Sequence, residues 1–436
     1  MRIVIAGAGE VGYSLATSLA LKHDVCVIES DASRYGRVSE LDVHAIQGNA
    51  ANMRILKQAE VDRADVFLAV TGNDEVNLLS GLAARKVGAR NVIVRVENPD
   101  YVERPIVKDH PLGYDVVICP QLALAQEAAR LIGIPGAIEI VTFSGGRVEM
   151  IELQVMKNSK ADGRAVKDLH LPPNVVITSV YRNGEVVIPR GDTVLKAGDR
   201  IAIVGRTKDI EALKGVFGPP VTRKVTIFGA GTIGSYIAKI LEKGRISVKL
   251  IESRLDRCEM LSESLEGVKI ICGDATDLEF LIEEEIGKSD AVVATTESDE
   301  KNLLISLLAK NLGARTAIAK VEKREYVKLF EAVGVDVALN PRSVTYHEVS
   351  KLLRRMQVET VAEIEDTAII EVVVKNPKLV GKTFREINLP RDAIIGAVVR
   401  GEGCLIPRGD TKIEPEDRLL VFARWEEIEK IEEIFE

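Results

Sequence analysis

The stretch RIVIAGAGEVG (Arg2–Gly12) is an apolar strand that runs into Gly7-x-Gly9-x-x-Gly12 and then into a helical pattern reaching Leu21. Glycines at this spacing do three different jobs where a strand hands over to a helix. The first permits the tight turn, the second lets the backbone approach a pyrophosphate, and the third lets helix pack on strand. Free backbone N–H groups and the positive end of the helix dipole then face the phosphates. The next strand, DVCVIES, ends in Glu29, at the distance beyond Gly12 where an acidic residue completes this motif. A carboxylate there accepts hydrogen bonds from adenosine ribose hydroxyls and repels a 2′-phosphate.

The stretch occurs twice. KVTIFGAGTIG (Lys224–Gly234) repeats it, and Glu252 ends the following strand, KLIES, as Glu29 ends DVCVIES. Ala69–Tyr101 aligns without a gap on Ala294–Tyr326 with 16 identities in 33 positions, and IPRGDT at Ile188–Thr193 returns at Ile406–Thr411. A chain of 436 residues is thus a tandem duplication with a period near 220, too long for a solenoid repeat.

Within copy one, short Val/Ile-rich strands alternate with helical stretches as far as the helix Gln121–Ile132, giving six strands and five crossovers. This is the signature of an α/β fold, a Rossmann-like doubly wound parallel sheet with helices on both faces. After IGIPGAI the pattern changes to a small α+β module. It comprises a strand pair, a short helix in DGRAVKDLHL, a hairpin turning at Asn183-Gly184, and a last strand followed by a helix from Lys208. The expected domains are 1–136 and 137–217, a Pro/Gly linker at 218–223, then 224–357 and 358–436.

Composition narrows the functional classes. With 46% apolar and only 4% aromatic residues, the cores are built of Val, Ile, Leu and Ala, as parallel sheets require. The longest uncharged run, Val225–Ala238, contains three glycines and falls short of the ~20 residues a membrane helix needs. The N-terminal stretch reaches its glycine turn at Gly7 with no cleavage site, unlike a signal peptide. A net charge of −8 without a long basic block argues against a nucleic-acid partner. The five cysteines and five histidines are scattered, without a C-x-x-C or H-x-x-x-H spacing. That reads as reduced core residues in a cytoplasmic protein, with no metal site and no catalytic residue.

Further candidates lie at strand ends. Asn49 in GNA and Asp274 in GDA suit either an adenine rim or a helix N-cap. Thr71-Gly72-Asn73 and Thr296-Glu297-Ser298 follow the fourth strand, at the carboxyl edge where such sheets bind ligands. Asn73 and Ser298 are also good caps for the next helix. Arg95 and Lys320 end the fifth strand, where a cation either reaches phosphates or pairs with Glu97 or Glu322. Those two glutamates alone do not define a divalent-cation site.

Taken in order, GAGEVG, AVTGNDEVNLL, VRVENPDY, DVVICPQLAL and PRGDT resemble the Trk-type potassium-uptake regulatory subunits across essentially the whole chain. Their large and small modules are RCK (regulator of potassium conductance) N-terminal and C-terminal domains. The resemblance implies a non-enzymatic protein peripheral to the inner face of the membrane, forming a homo-oligomeric ring, such as a tetramer, beneath a potassium-translocating Trk-type membrane subunit. It implies NAD(H), or ATP and ADP, in the glycine-rich sites. Carried onto this sequence, the contacts are Gly7, Ala8, Gly9, Glu10, Val11, Gly12, Glu29, Thr71, Gly72 and Arg95. In copy two they are Gly229, Ala230, Gly231, Thr232, Ile233, Gly234, Glu252, Thr296 and Lys320. Copy two departs at Lys320 and at Glu297, whose carboxylate opposes an anionic ligand. The main alternative, an NAD-dependent oxidoreductase, explains the glycines but requires a general acid or base over the nicotinamide. A ligand-sensing transcription factor would need a helix-turn-helix and a basic face, and the sequence offers neither.

Overall fold

The apolar strand that opens each copy lies in the middle of its sheet. The computed structural model describes residues 1–103, 114–134, 136–143, 147–182, 185–213, 215–218, 222–244, 246–356, 362–364, 367–390, 393–401 and 403–435. In copy one the strands are β1 (Arg2–Ala6), β2 (Asp24–Glu29), β3 (His44–Gln47), β4 (Val66–Ala69), β5 (Asn91–Arg95) and β6 (Val116–Ile118). They form a parallel sheet in the order β3-β2-β1-β4-β5-β6. Ile3–Ala6 are wholly buried, as a strand covered on both faces must be. The longer helices are α1 (Glu10–Leu19), α2 (Ala32–Val38), α3 (Met53–Gln58), α4 (Asp74–Val87) and α5 (Pro120–Gly133), with a single helical turn at Asp100–Glu103 before α5. The strand order reverses between β1 and β4, which opens a crevice at their carboxyl ends, beside the glycine turn.

After the small module of copy one, whose strands are β7 (Ala137–Phe143), β8 (Val148–Gln154), β9 (Val175–Arg182), β10 (Glu185–Val187) and β11 (Arg200–Arg206), the cycle restarts. Copy two uses β12 (Lys224–Phe228), β13 (Ser247–Glu252), β14 (Val268–Cys272), β15 (Ala291–Ala294), β16 (Thr316–Lys320) and β17 (Val337–Leu339). Their order, β14-β13-β12-β15-β16-β17, repeats that of copy one. Its helices are α6 (Thr232–Glu242), α7 (Leu255–Ser264), α8 (Leu278–Glu283), α9 (Asp299–Leu312), α10 (Val327–Ala332) and α11 (Pro341–Met356).

The small modules are antiparallel sheets. In copy one the order is β10-β9-β11-β8-β7. In copy two β18 (Ala362–Ile364), β19 (Thr367–Val373), β20 (Ala393–Arg400), β21 (Gly403–Leu405) and β22 (Arg418–Arg424) are ordered β18-β19-β22-β20-β21. The short helix expected in DGRAVKDLHL is a single 3-10 turn, Val166–Leu169, because His170 turns left-handed at φ 50°. The helix expected from Lys208 is likewise brief, Thr207–Ile210 followed by a 3-10 turn. The expected turn at Asn183-Gly184 lies outside the described residues. Each module buries one bidentate ion pair, Arg182 on Asp199 at 2.7 and 2.6 Å and Arg400 on Asp417 at 2.8 Å twice. The two small sheets pack face to face through Phe143, Met150 and Val204 of the first and Ile369, Leu420 and Phe422 of the second.

The large modules exchange helices. Helix α5, which ends the first, packs on α6 at the start of the second, with Leu124, Leu131 and Ile132 in one core with Ile233, Ile237 and Leu241. Each such side chain contributes about 1.5–3 kcal/mol on burial. Reciprocally, α11 packs on α1, where Val349 joins Val11 and Leu15, and the Tyr346 and Ser18 hydroxyls lie 2.8 Å apart. Helices α5 and α11 also touch each other, with Glu127 and Glu348 at matching positions. Burial pushes the Glu127 carboxyl up to about 7, against the pull of Arg130 and with the repulsion of Glu348. Nearby Glu139 is raised to about 7 by burial, Glu152 and Glu127, against Arg200.

Candidate nucleotide sites

The three glycines of each turn meet three different surroundings. Gly7 has φ +103° and presses on the next loop, where an added Cβ would lie 2.9 Å from Thr71 Cα. Gly229 repeats this at φ +91°, 3.0 Å from Thr296 N. At Gly12 and Gly234 an added Cβ would fall 1.9 and 2.0 Å from the carbonyl oxygens of Gly7 and Gly229, so only glycine lets helix and turn close. The middle glycines face open space. Nothing lies within 4 Å of a Cβ on Gly231, and only Arg34 Nη1, at 4.0 Å, on Gly9. Both middle glycines are helix N-caps without a side-chain partner, so the first N–H groups of α1 and α6 point to that space unsatisfied by a cap. The arrangement has the form of a phosphate cradle, and the residues present fit a dinucleotide.

Glu29 and Glu252 hold the cradles in shape. Each is almost wholly buried. Glu29 Oε2 accepts from Ala8 N–H at 2.5 Å and its Oε1 from Asp31 N–H at 2.9 Å. Glu252 accepts from Ala230 N–H and Arg254 N–H, both at 2.9 Å. Burial pushes the Glu252 carboxyl up, but these N–H donors outweigh it and keep it below the ordinary carboxylate range. The carboxylates therefore brace the turn from the strand end.

The opposite wall is fixed by a residue that sequence reasoning passed over. Asn77, wholly buried on α4, accepts from Thr71 N–H at 2.8 Å and Thr71 Oγ1 at 2.6 Å. Its Nδ2 donates to the carbonyls of Thr71 at 3.0 Å and Arg95 at 2.9 Å. Asn302 makes the same four bonds to Thr296 and Lys320. Its signal was the asparagine shared by NDEVNLL and SDEKNLL. Thr71 and Thr296 are thus clamped beside their glycine turns, with Arg95 and Lys320 behind them. Both cations pair with the neighbouring acid, Arg95 with Glu97 at 2.7 Å and Lys320 with Glu322 at 2.9 Å. Arg95 also donates to Thr71 O at 3.3 Å, while its buried Nε has no partner among the described residues.

Matches to the TrkA-N domain cover residues 3–120 and 225–341, and matches to the TrkA-C domain cover 150–218 and 369–436. A Trk system potassium uptake protein TrkA homolog of Archaeoglobus fulgidus is 79% identical over 435 residues, covering all of both chains. The chain belongs to the TrkA family. The Vibrio alginolyticus TrkA is 32% identical across 97% of this chain and 95% of its own. Among solved structures, the GsuK channel bound to NAD shares this fold at 20% identity and a TM-score of 0.65, over all of this chain and 78% of that one.

In this TrkA-family chain the two cradles differ in the charges around them. Asn49 and Asp274 cap no helix. Each makes a local turn, Asn49 Oδ1 with Ala51 N–H and Asp274 Oδ1 with Thr276 N–H, both at 2.8 Å. The caps are Asn52 and Asp277, further along the chain. Asn73 and Ser298 do cap α4 and α9. Gly72 is replaced by exposed Glu297, but Asp31 is correspondingly replaced by Arg254, whose guanidinium feels Asp256, Glu252 and Glu297. The added carboxylate of copy two therefore arrives with its own cation. Copy one has Arg34 beside Gly9 and a further contact from outside: Arg342, at the start of α11, pairs with Glu10. The counterparts of Arg342 and Glu10 are neutral, Gln121 at the start of α5 and Thr232 at the start of α6.

Proposed function

We propose that the chain is the nucleotide-binding regulatory subunit of a Trk-type potassium-uptake system. It acts at the cytoplasmic face of a potassium-translocating membrane protein, as a homo-oligomeric ring. The observation that carries this reading is the pair of uncapped helix starts facing open space beside buried carboxylates. NAD(H) is the ligand best suited to them, with ADP and ATP sharing the phosphate and ribose contacts. A full-length potassium-uptake relative and an NAD-bound channel of the same fold support the assignment.

The Gly9 and Gly231 backbones would receive the phosphates, Glu29 and Glu252 the ribose hydroxyls, and Arg95 and Lys320 would add positive charge. The helices whose first turns hold the phosphates, α1 and α6, are those on which α11 and α5 dock. Occupancy of a cradle thereby acts on the contact between copies. A ligand shifts that contact only by binding its two arrangements unequally.

Titration of the purified chain with NADH, NAD, ADP and ATP tests this. Failure of all four to bind better than ~1 mM, about −4 kcal/mol, removes the trigger. Co-purification with the membrane subunit, and potassium flux with and without each nucleotide, tests the partner. Turnover of NADH with simple carbonyl acids would instead favour an oxidoreductase.

A further inference from the structure

Cys258 and Cys272 sit on successive elements of copy two, and both side chains turn to the end of β13. Cys258 is buried on α7, whereas Cys272 is exposed at the end of β14, paired with Glu252 on β13. Their thiols reach consecutive carbonyls. Cys258 Sγ donates to Glu252 O at 3.5 Å and Cys272 Sγ to Ser253 O at 3.8 Å. Glu252 is the residue that braces Ala230, and Gly273-Asp274 follow Cys272 directly, so the thiol pair flanks the ribose side of the second cradle. Copy one has Tyr35 and Gln47 at these positions and no such pair.

We propose that Cys258 and Cys272 are a redox modification site, forming a reversible intrachain disulfide that alters ligand binding at the second cradle and leaves the first unchanged. The bond itself is independent of the function proposed above; its consequence rests on the second cradle being a nucleotide site. The oxidant is a low-molecular-weight disulfide. The exposed Cys272 thiolate attacks one of its sulfurs, forms a mixed disulfide and releases one small thiolate. Cys258 then loses its proton to solvent and attacks Cys272 Sγ, releasing the second. Two electrons pass from the protein dithiol to the small disulfide, which leaves as two thiols. Burial and the neighbouring Cys272 push the Cys258 thiol up to about 12, so closure is the slow step and the exposed sulfur reacts first. Closure removes both S–H donors from the 252 and 253 carbonyls and ties α7 to the end of β14.

The test incubates the full chain in oxidised and reduced glutathione buffers, followed by acid quenching, alkylation and peptide mass spectrometry. The expected product is a Cys258–Cys272 cross-link two hydrogens lighter, with alkylation of Cys272 falling about tenfold. In Cys258→Ser the end point becomes a glutathione adduct on Cys272. A stable adduct on wild-type Cys272, or a link between Cys272 of two chains, overturns the intrachain bond. In NADH and ADP titrations, oxidation is expected to change second-cradle affinity by roughly threefold or more. Dithiothreitol reverses the change and both Cys→Ser variants abolish it. A cross-link that leaves every affinity unchanged overturns the coupling. Binding of no nucleotide in either state overturns both the coupling and the regulatory reading, while the cross-link is still read directly.

Discussion

Gly7–Gly12 and Gly229–Gly234 repeat closely at their tightest point, where a Cβ added at Gly12 or Gly234 would fall 1.9 or 2.0 Å from a carbonyl oxygen. Of the charged side chains around the two turns, Arg34 is kept as Arg257, but Glu10, Asp31 and Arg95 of copy one give way to Thr232, Arg254 and Lys320 in copy two. Parts that shape the cradle tolerate no change because each is pinned by backbone contact or by a buried amide. The side chains that differ lie at the rim of each turn, with Glu10 and Asp31 exposed and Arg95 and Lys320 half-buried. Two sites of common construction are thereby suited to ligands of different charge or affinity.

The largest effects are expected where the copies agree. Gly12→Ala and Gly234→Ala each force a methyl into a carbonyl oxygen and should cost roughly 3 kcal/mol while removing one bound nucleotide of two, read by urea unfolding and calorimetry. Loss of both nucleotides in either variant would mean that the cradles are not separate. Asn77→Ala and Asn302→Ala leave matching buried groups unpaired, and each should cost about 2–4 kcal/mol. A gap of more than ~1 kcal/mol between them would break the equivalence of the two walls.

A third contrast lies between α5 and α11. Glu127 has a folded value of about 7, above the ~4.3 of an unfolded glutamate. The folded chain therefore holds this proton more tightly, and the resulting loss of stability sets in as pH rises from about 4 to 7 and is complete above that. Glu127→Gln should leave thermal stability near pH 4 unchanged and raise it at pH 8, on the order of 2 kcal/mol for this half-buried group. No gain at pH 8 would show that the carboxylate is solvated there. Exchanging the strand-end cations tests the ligand face. Arg95→Lys should weaken the first site about tenfold and Lys320→Arg should strengthen the second, since only the guanidinium offers a fork. The smallest effect is expected for Arg342→Ala, which removes an exposed ion pair worth under ~1 kcal/mol and should be masked by salt, with the second site untouched.

Much of this was legible from the residues because duplication supplied an internal control. A glycine turn, an acid at the next strand end and the same six-strand alternation twice over leave few other folds. Where reading along the chain fell short, the decisive neighbour lay far away in sequence. Asn77 looks like one polar residue on a helix until Thr71 and Arg95 close around it. Asn49 and Asp274 resemble caps because they open a loop before a helix, but the helix starts later than their spacing suggested. Cys258 and Cys272 look scattered along the chain, since only the pairing of β13 with β14 turns both toward the end of β13. Packing of α5 on α6 joins helices separated by a whole small module, and packing of α11 on α1 joins helices from the two copies. No local periodicity reports either contact.

That exchange of helices has a genetic consequence. In a dimer of identical chains, every substitution at a two-fold interface appears on both sides and must suit itself. Here the two halves of the contact are encoded separately, so Arg342 could arise opposite Glu10 without an arginine having to appear at Gln121. The fused chain keeps the architecture of a symmetric pair while releasing each half to evolve alone.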